Sequence, residues 1–198
     1  SQRGRRRREV FIEARDAEEY LRLLKEVRRH GMSVLAYCLM TNHVHLLLAP
    51  CRLERLRAAV SEVHEEYART ISARHGLTRP VWHPRPLLKP LTFPELWSAA
   101  PYVELNPVRA NLVKDAGAYP WSSAAAHLAG ADPTGLLDLA LWSRYFGGRS
   151  WAGELELLQR QGRQLGRPPL YRRGRGAIRQ VAEWILGTGD DLKKKTET

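Results

Sequence analysis

Two histidines stand one residue apart inside an apolar stretch that spans residues 37–48. Successive side chains of a β-strand point to opposite faces, so His43 and His45 would share one face while the aliphatic residues around them line the other. Imidazole is the commonest metal ligand in proteins, and two imidazoles side by side suit a single metal ion. The pattern therefore predicts a metal site, with two solvated polar residues on a strand surface as the alternative.

A second candidate group lies within residues 101–113. Tyr102 and Asn106 are four residues apart, which on a helix places a phenol and a carboxamide on one face. The residues alone favour a structural role over a chemical one. Asn106 before Pro107 favours a helix N-cap, and Tyr102 would then be an ordinary half-buried aromatic residue.

Apolar positions at helical spacing indicate the elements that surround these residues. They predict a helix over residues 16–30 with Asp16 as its N-cap, and a longer helix over residues 52–75. His64 and His75 of the longer helix are expected at the surface. Further helical patterns cover residues 94–105, 107–116, 120–129 and 136–147, followed by an apolar helix after residue 150 and a last helix near residues 175–187.

Two strands at about residues 33–40 and 43–49, joined by a turn that contains Asn42, predict a hairpin whose second strand begins with the histidines. The proline-rich residues 81–92 predict an extended edge segment, because proline cannot donate to a sheet ladder. The order of helices and strands predicts an α+β fold. We expect an antiparallel sheet with helices mainly on one face and the histidines on the open face.

The 198 residues suffice for one core plus an appendage, and 43% of them are hydrophobic. We expect a main domain over residues 1–130 and a helical, basic C-terminal extension over residues 131–198. No apolar run reaches bilayer length, no secretory signal pattern opens the chain, and the two cysteines form no zinc-type pair. These features predict a cytoplasmic protein without a membrane partner.

The net charge of +11 is concentrated in arginine-rich stretches: five of the first eight residues are arginine, and seven more lie from Arg160 through Arg179. Basic stretches attract phosphate groups, which supply most of the sequence-independent affinity for nucleic acid. A nucleic-acid partner is favoured over an acidic protein or a lipid surface, with a solvated tail as the alternative. The candidate phosphate-binding residues are Arg3, Arg5, Arg6, Arg109, Arg163 and Arg167.

Three stretches taken together, residues 37–47, 102–110 and 119–123, resemble the single-tyrosine HUH transposases, in particular the REP-associated (IS200-like) tyrosine transposases. The resemblance implies a ferredoxin-like HUH endonuclease fold over residues 1–130. It also implies cleavage and transfer of single-stranded DNA, often at hairpin-forming repeats. The partner would be single-stranded or hairpin DNA, the protein would act as a monomer or homodimer, and it would associate with the nucleoid.

Position by position, the resemblance implies that His43 and His45 bind a divalent ion, Mg²⁺ or Mn²⁺. Tyr102 would be the nucleophile that forms a 5′-phosphotyrosine intermediate. Asn106 would be a third metal ligand, at a position where the wider superfamily usually has glutamine. Two alternatives to this activity are a non-catalytic module that binds single-stranded nucleic acid, and a metallohydrolase that forms no protein-linked intermediate.

Three features differ from the family pattern. The chain begins at Ser1, so we expect the first strand to be wholly or mostly missing and the sheet to be incomplete. Pro101 directly precedes Tyr102, and we expect it to start a new turn at the tyrosine or to change the direction in which the tyrosine points. The segment between His83 and Leu91 is richer in proline than is usual, which would alter how DNA is held beside the site.

Overall fold

The computed structural model of the protein describes residues 1–84 and 86–165. Its strands and α-helices are, in chain order, β1 (Gln2–Arg3), α1 (Ala14–Leu24), β2 (Met32–Met40), β3 (His43–Pro50), α2 (Leu53–His75), α3 (Phe93–Glu104), α4 (Asn106–Arg109), α5 (Ala124–Ala129), α6 (Leu139–Phe146) and α7 (Trp151–Leu165). Short 3-10 turns cover Arg5–Arg7, Lys25–His30 and Ala116–Ala118. The predicted α+β class is confirmed. No helix within the described residues is long and apolar enough to cross a membrane.

The sheet has three antiparallel strands in the order β1-β3-β2, so β3 is central. Met40 pairs with His43 at the hairpin turn, and the predicted strand ends are within one residue of the observed ones. The register shifts between Val34 and Ala36, which places a bulge at Leu35. Strand β1 is only two residues long and pairs with the start of β3.

One face of the sheet packs against α1 and α2. Val44 of β3 is 0% exposed and Leu46 and Leu48 pack against the same core, as the alternation predicted. The prediction that His64 lies at the surface is wrong. It is 6% exposed, its Nε2 lies 2.9 Å from the Tyr20 hydroxyl, and the indole of Trp82 covers it. A tryptophan that is distant in sequence thus buries a polar position of an amphipathic helix.

The opposite face, called the site face below, carries the two histidines. Cys38 and Met40 of β2 and Leu47 of β3 pack on this face against a second set of helices. Those helices contribute Ala99, Ala100 and Val103 from α3, Trp142 and Phe146 from α6, and Trp151 and Leu155 from α7. Helices therefore cover part of both faces, while His43 and His45 stay half-buried.

The described part of the predicted C-terminal extension, residues 131–165, packs on the sheet. Leu137 forms a parallel bridge with Val34 on the free edge of β2. The guanidinium of Arg28 donates a hydrogen bond of 3.0 Å to the carbonyl of Leu136. This part of the chain also supplies α6 and α7 to the core on the site face. It therefore packs against both cores.

Helix α1 differs from the predicted helix over residues 16–30. Its N-cap is Glu13, and Asp16 instead occupies the third position of a capping box, where its carboxylate accepts from the Glu13 N–H at 3.0 Å. The same carboxylate binds Arg74 at 2.6 Å and His75 at 3.0 Å. The N-cap assignment of Asp16 is therefore wrong, and His75 is partly buried rather than exposed, because a contact between α1 and α2 engages both residues.

Two later helices are shorter than predicted. The helix expected over residues 107–116 ends at Arg109, and Asn111 adopts a left-handed φ of 56° that a continuing helix excludes. The helix expected from residue 120 begins at Ala124, because the Trp121 carbonyl accepts a hydrogen bond of 2.8 Å from β2. The helix predicted near residues 175–187 lies outside the described residues.

The buried His64 predicts how stability depends on pH. Burial lowers the pKa of His64 to about 4, below its ordinary value in the unfolded chain. As the pH falls from about 6.5 towards 4, the unfolded chain binds a proton that the folded protein does not, so this residue favours unfolding. The unfolding free energy, measured in urea, should fall between pH 7.5 and pH 5. In His64→Gln this fall is expected to be smaller than in the wild type by about 2 kcal/mol. Exposed His83→Gln is the control, and an equal fall in wild type and His64→Gln would contradict the prediction.

Candidate active site

The two histidines lie side by side at the start of β3. Their ring centroids are 4.8 Å apart and the ring planes meet at 76°. Val44 between them is 0% exposed and points into the opposite core, which directs both imidazoles onto the site face. The predicted arrangement of the pair on one face is therefore what the strand adopts.

Both imidazoles are neutral at neutral pH. Burial, reinforced by the positive charge of Arg3, lowers the pKa of His43 to about 4. Burial and the neighbouring His43 lower the pKa of His45 to about 3. A metal ion binds the neutral form of imidazole, so these shifts leave both rings in the state that ligation requires.

Asn42, predicted only as a turn residue, also orients the first histidine. Its Oδ1 lies 2.7 Å from Nδ1 of His43. A carboxamide oxygen only accepts hydrogen bonds, so Nδ1 of His43 carries the proton and its Nε2 retains the lone pair. A hydrogen bond of this kind fixes the tautomer and the ring orientation of a metal-ligating histidine.

Tyr102 is positioned by α3, which begins at a capping box formed by Thr92 and Glu95. Tyr102 is 41% exposed, and its ring stands edge-on to His45, with centroids 5.6 Å apart. The helix continues through Pro101, whose carbonyl accepts the Leu105 N–H at 2.8 Å. The proline therefore does not start a new turn at the tyrosine, and the phenol reaches the imidazole pair of its own chain.

Asn106 and Arg109 contact Tyr102 from the following segment. The Nδ2 of Asn106 donates to the Tyr102 carbonyl at 2.6 Å and to the Val103 carbonyl at 3.3 Å, so this side chain caps the end of α3. Leu105 is the N-cap of α4, and the N-cap interpretation of Asn106 is therefore wrong. The guanidinium of Arg109 lies over the Tyr102 ring, with its Cζ 4.6 Å from the centroid, in a cation–π contact.

Residues 3–8, called the arginine loop below, lie next to the histidine pair. Arg3 pairs with His43 across the strands, and directly opposed residues of a sheet share a face, so Arg3 lies on the site face. The Gly4 N–H donates to the Asn42 carbonyl at 2.8 Å and the Arg5 N–H to the Val81 carbonyl at 2.9 Å. The side chains of Arg3, Arg5 and Arg6 are exposed, and these bonds fix the backbone that presents them.

The two predicted phosphate-binding residues of the extension cannot be placed in the same way. Arg163 belongs to α7, but its side chain is not described. Arg167 lies outside the described residues.

The separation of the two imidazoles is compatible with one shared metal ion. Two imidazoles that share one ion through bonds of about 2 Å at a right angle have centroids about 5 Å apart, close to the observed separation. Among the described residues no group of three or more His, Cys, Asp or Glu side chains surrounds such a position. Further ligands would therefore be of another kind, such as the Oδ1 of Asn106 or phosphate oxygens.

Sequence reasoning missed a buried polar cluster behind Tyr102. Glu104 is 0% exposed, and its carboxylate accepts hydrogen bonds from Ser123, His127 and Trp151. The sequence signal for this cluster was Glu104 itself, an acidic residue between Val103 and Leu105 at a position where an amphipathic helix usually has an apolar residue.

Comparison with a family model covers the first part of the chain. Residues 3–85 match the family model described as "Transposase IS200 like", a region that includes both histidines and ends before Tyr102. No curated protein matches the chain.

The solved structure of a REP-associated tyrosine transposase bound to a REP hairpin has the same fold. It aligns with a TM-score of 0.51 at 18% sequence identity, over 67% of this chain and 79% of that chain. The match over residues 3–85, which is less than half of the chain, and the shared fold agree with the resemblance to the IS200-like tyrosine transposases.

Gly4 offers a test of how the arginine loop is held. A Cβ at this position would lie 2.4 Å from the Arg8 carbonyl oxygen and 2.7 Å from Cγ1 of Val10. Gly4→Ala is therefore expected to lower the unfolding free energy by about 1–3 kcal/mol, measured in urea. Gly148→Ala is the matched control, because a Cβ there meets nothing within 4 Å. Equal stability of the two variants would show that the loop is not closely packed.

Proposed function

We propose that this protein nicks single-stranded DNA and transfers the cleaved strand, with Tyr102 as the nucleophile and a divalent ion, Mg²⁺ or Mn²⁺, held by His43 and His45. The observation that carries the proposal is a half-exposed phenol whose ring contacts one of two neutral, adjacent imidazoles. The family match and the shared fold are consistent with this chemistry.

In the proposed reaction the Tyr102 oxygen attacks the phosphorus of a phosphodiester. The bond between phosphorus and the 3′-oxygen breaks, the phenol proton is lost, and the departing 3′-oxygen takes up a proton. The products are a 5′-phosphotyrosine and a free 3′-hydroxyl. The new ester is a phosphodiester like the one that was broken, so a second 3′-hydroxyl can reverse the step and join strands without ATP.

Each residue of the site has a role in this scheme. His43 and His45 would hold the ion, with the Asn106 carboxamide as a third protein ligand. A bound divalent ion would act as a Lewis acid on a phosphate oxygen and orient the scissile group. Arg109 holds the phenol ring from one side, and Arg3 presents a positive charge to the phosphate on the site face.

Single-stranded or hairpin DNA is the proposed substrate. The fold neighbour was solved bound to a REP hairpin, and the arginine loop here presents exposed guanidinium groups beside the histidines. Phosphate neutralisation by such groups supplies affinity that depends on salt but not on sequence. Because Tyr102 and both histidines meet within one chain, a monomer suffices for the proposed cleavage.

Tyr102→Phe is expected to abolish a covalent adduct between protein and DNA without loss of DNA binding. The assay uses a 3′-labelled DNA hairpin with single-stranded flanks, with and without Mg²⁺ or Mn²⁺, resolved under denaturing conditions. The 3′ label reports the 5′-phosphotyrosine because that fragment stays on the protein. Hydroxyl removal leaves the ring and its Arg109 contact in place, so the dissociation constant should change less than about twofold.

The same gel separates the alternatives. An adduct that persists in Tyr102→Phe would remove Tyr102 from its proposed role. Wild-type protein that binds without any adduct would be a non-catalytic binding module. Cleavage without an adduct would indicate a metallohydrolase.

His45→Gln is expected to slow adduct formation by about 100-fold at a fixed Mn²⁺ concentration, because one of two imidazole ligands is lost. DNA affinity measured in EDTA should equal that of wild type. His30→Gln, next to the end of β2 that is remote from the hairpin turn, is the control and should keep the wild-type rate. A wild-type rate in His45→Gln would disprove the assignment of His45 as a ligand.

A further inference from the structure

We infer that Glu104 is a positioning residue for the proposed reaction: it fixes α3 so that Tyr102 stands beside the imidazole pair. The inference rests on the proposed function, in which Tyr102 attacks DNA. The residues that carry it are Glu104, Ser123, His127 and Trp151, called the Glu104 cluster below.

The Glu104 cluster is sealed from solvent and uses both carboxylate oxygens. Oε1 accepts from the Ser123 hydroxyl and from Nδ1 of His127, each at 2.5 Å. Oε2 accepts from the indole N–H of Trp151 at 2.7 Å. Glu104 itself is 0% exposed, so these three donors replace the water that a carboxylate otherwise binds.

Tyr102 and Glu104 act on opposite sides of one helix. Residues two positions apart in an α-helix are related by about 200° of rotation, so the phenol and the carboxylate point in nearly opposite directions. The phenol contacts His45, while the carboxylate reaches α5 and α7. Any roll of α3 about its axis that moved the carboxylate from its donors would swing the phenol by the same angle.

Ser123 connects this helix to the strand beside the histidines. Its hydroxyl oxygen accepts the Tyr37 N–H at 3.1 Å, and its O–H donates to the Glu104 carboxylate. Tyr37 lies in β2 next to Cys38, which pairs directly with His45 of β3. A short chain of hydrogen bonds thus runs from the tyrosine helix to the strand that flanks the imidazoles.

The C-terminal end of α3 is an unfavourable position for the Glu104 carboxylate if its role were packing alone. Glu104 is the last residue of α3, where the helix dipole is negative and acidic groups are disfavoured. Ala99, Ala100 and Val103 of the same helix already pack in an apolar core. An aliphatic residue there would serve packing as well, whereas hydrogen bonds to three donors define one orientation.

Pro101 makes such an anchor necessary. It lies inside α3 and has no N–H, so the helix lacks one ladder bond in the turn that leads to Tyr102. Helices bend where such a bond is missing, and the direction of the following turn then depends on tertiary contacts. The contacts of Glu104 supply that direction three residues after the proline.

The first test is Glu104→Gln, which keeps the shape but replaces one acceptor oxygen with an NH₂ group. Single-turnover adduct formation at saturating DNA should fall about 100-fold, as for a displacement of about 1 Å of a reacting group. The DNA dissociation constant should stay within about twofold, because the DNA-contacting arginines are unchanged. Trp151→Phe removes one donor while keeping an aromatic ring, and an intermediate rate is expected.

Asp16→Asn is the matched control. Asp16 is also a 0% exposed carboxylate with several hydrogen-bond donors, but it joins α1 to α2 on the other face of the sheet. It should lower stability while leaving the single-turnover rate unchanged at a temperature where the variant is folded. If Glu104→Gln fails to fold, Trp151→Phe against Asp16→Asn decides the question.

A spectroscopic readout separates this inference from the proposed function. The Tyr102 ring contacts His45, so its ring current shifts the NMR signals of the carbon-bound protons of that imidazole. In metal-free protein without DNA, Glu104→Gln should move these signals towards their positions in Tyr102→Leu, whereas Asp16→Asn should not. Unchanged His45 signals together with an unchanged rate would overturn the positioning role. Shifted His45 signals in Glu104→Gln, together with a wild-type protein that forms no adduct, would support the positioning role. This outcome would reject only the proposed nuclease activity.

Discussion

The alternation of side chains along β3 is the constraint on which the candidate site depends. Val44 is fully buried between two imidazoles that face the other way, and both edges of β3 at this point are hydrogen-bonded to neighbouring strands. A slip of one residue would turn His43 and His45 into the aromatic core under α1 and α2 and expose the aliphatic residues. The hydrophobic free energy of one face therefore fixes the orientation of the polar groups on the other.

The turn between β2 and β3 holds both the arginine loop and the first imidazole in place. The Asn42 carbonyl accepts the Gly4 N–H of the arginine loop at 2.8 Å, and the Thr41 carbonyl accepts the N–H of Val10, which follows the loop, at 2.8 Å. The Asn42 side chain also orients His43. The orientation of His43 and the position of the arginine loop thus both depend on Thr41 and Asn42, and a displacement of the turn would disturb both together.

The sequence predicts well those features that depend on a repeating pattern of apolar residues within one strand or helix. The hairpin was located to within one residue because the apolar alternation and the turn signal agree. His64 was assigned wrongly because its burial depends on Trp82, which a single helix pattern does not contain. The Glu104 cluster was missed for the same reason, since its donors lie on α5, α7 and the segment before α5. Local patterns predict which face of its element a residue occupies, whereas tertiary packing determines which distant residues contact it.

In the proposed function, the charge around the imidazole pair would affect whether a metal ion binds before DNA or together with it. Both rings are neutral, Arg3 and Arg109 lie close by, and no group of three His, Cys, Asp or Glu side chains surrounds the pair among the described residues. The described protein groups therefore offer a divalent ion ligands but little negative charge. A DNA phosphate would bring that charge, and opposite charges attract strongly where solvent screening is reduced. Metal and DNA are thus expected to bind cooperatively, each raising the affinity for the other by the same factor.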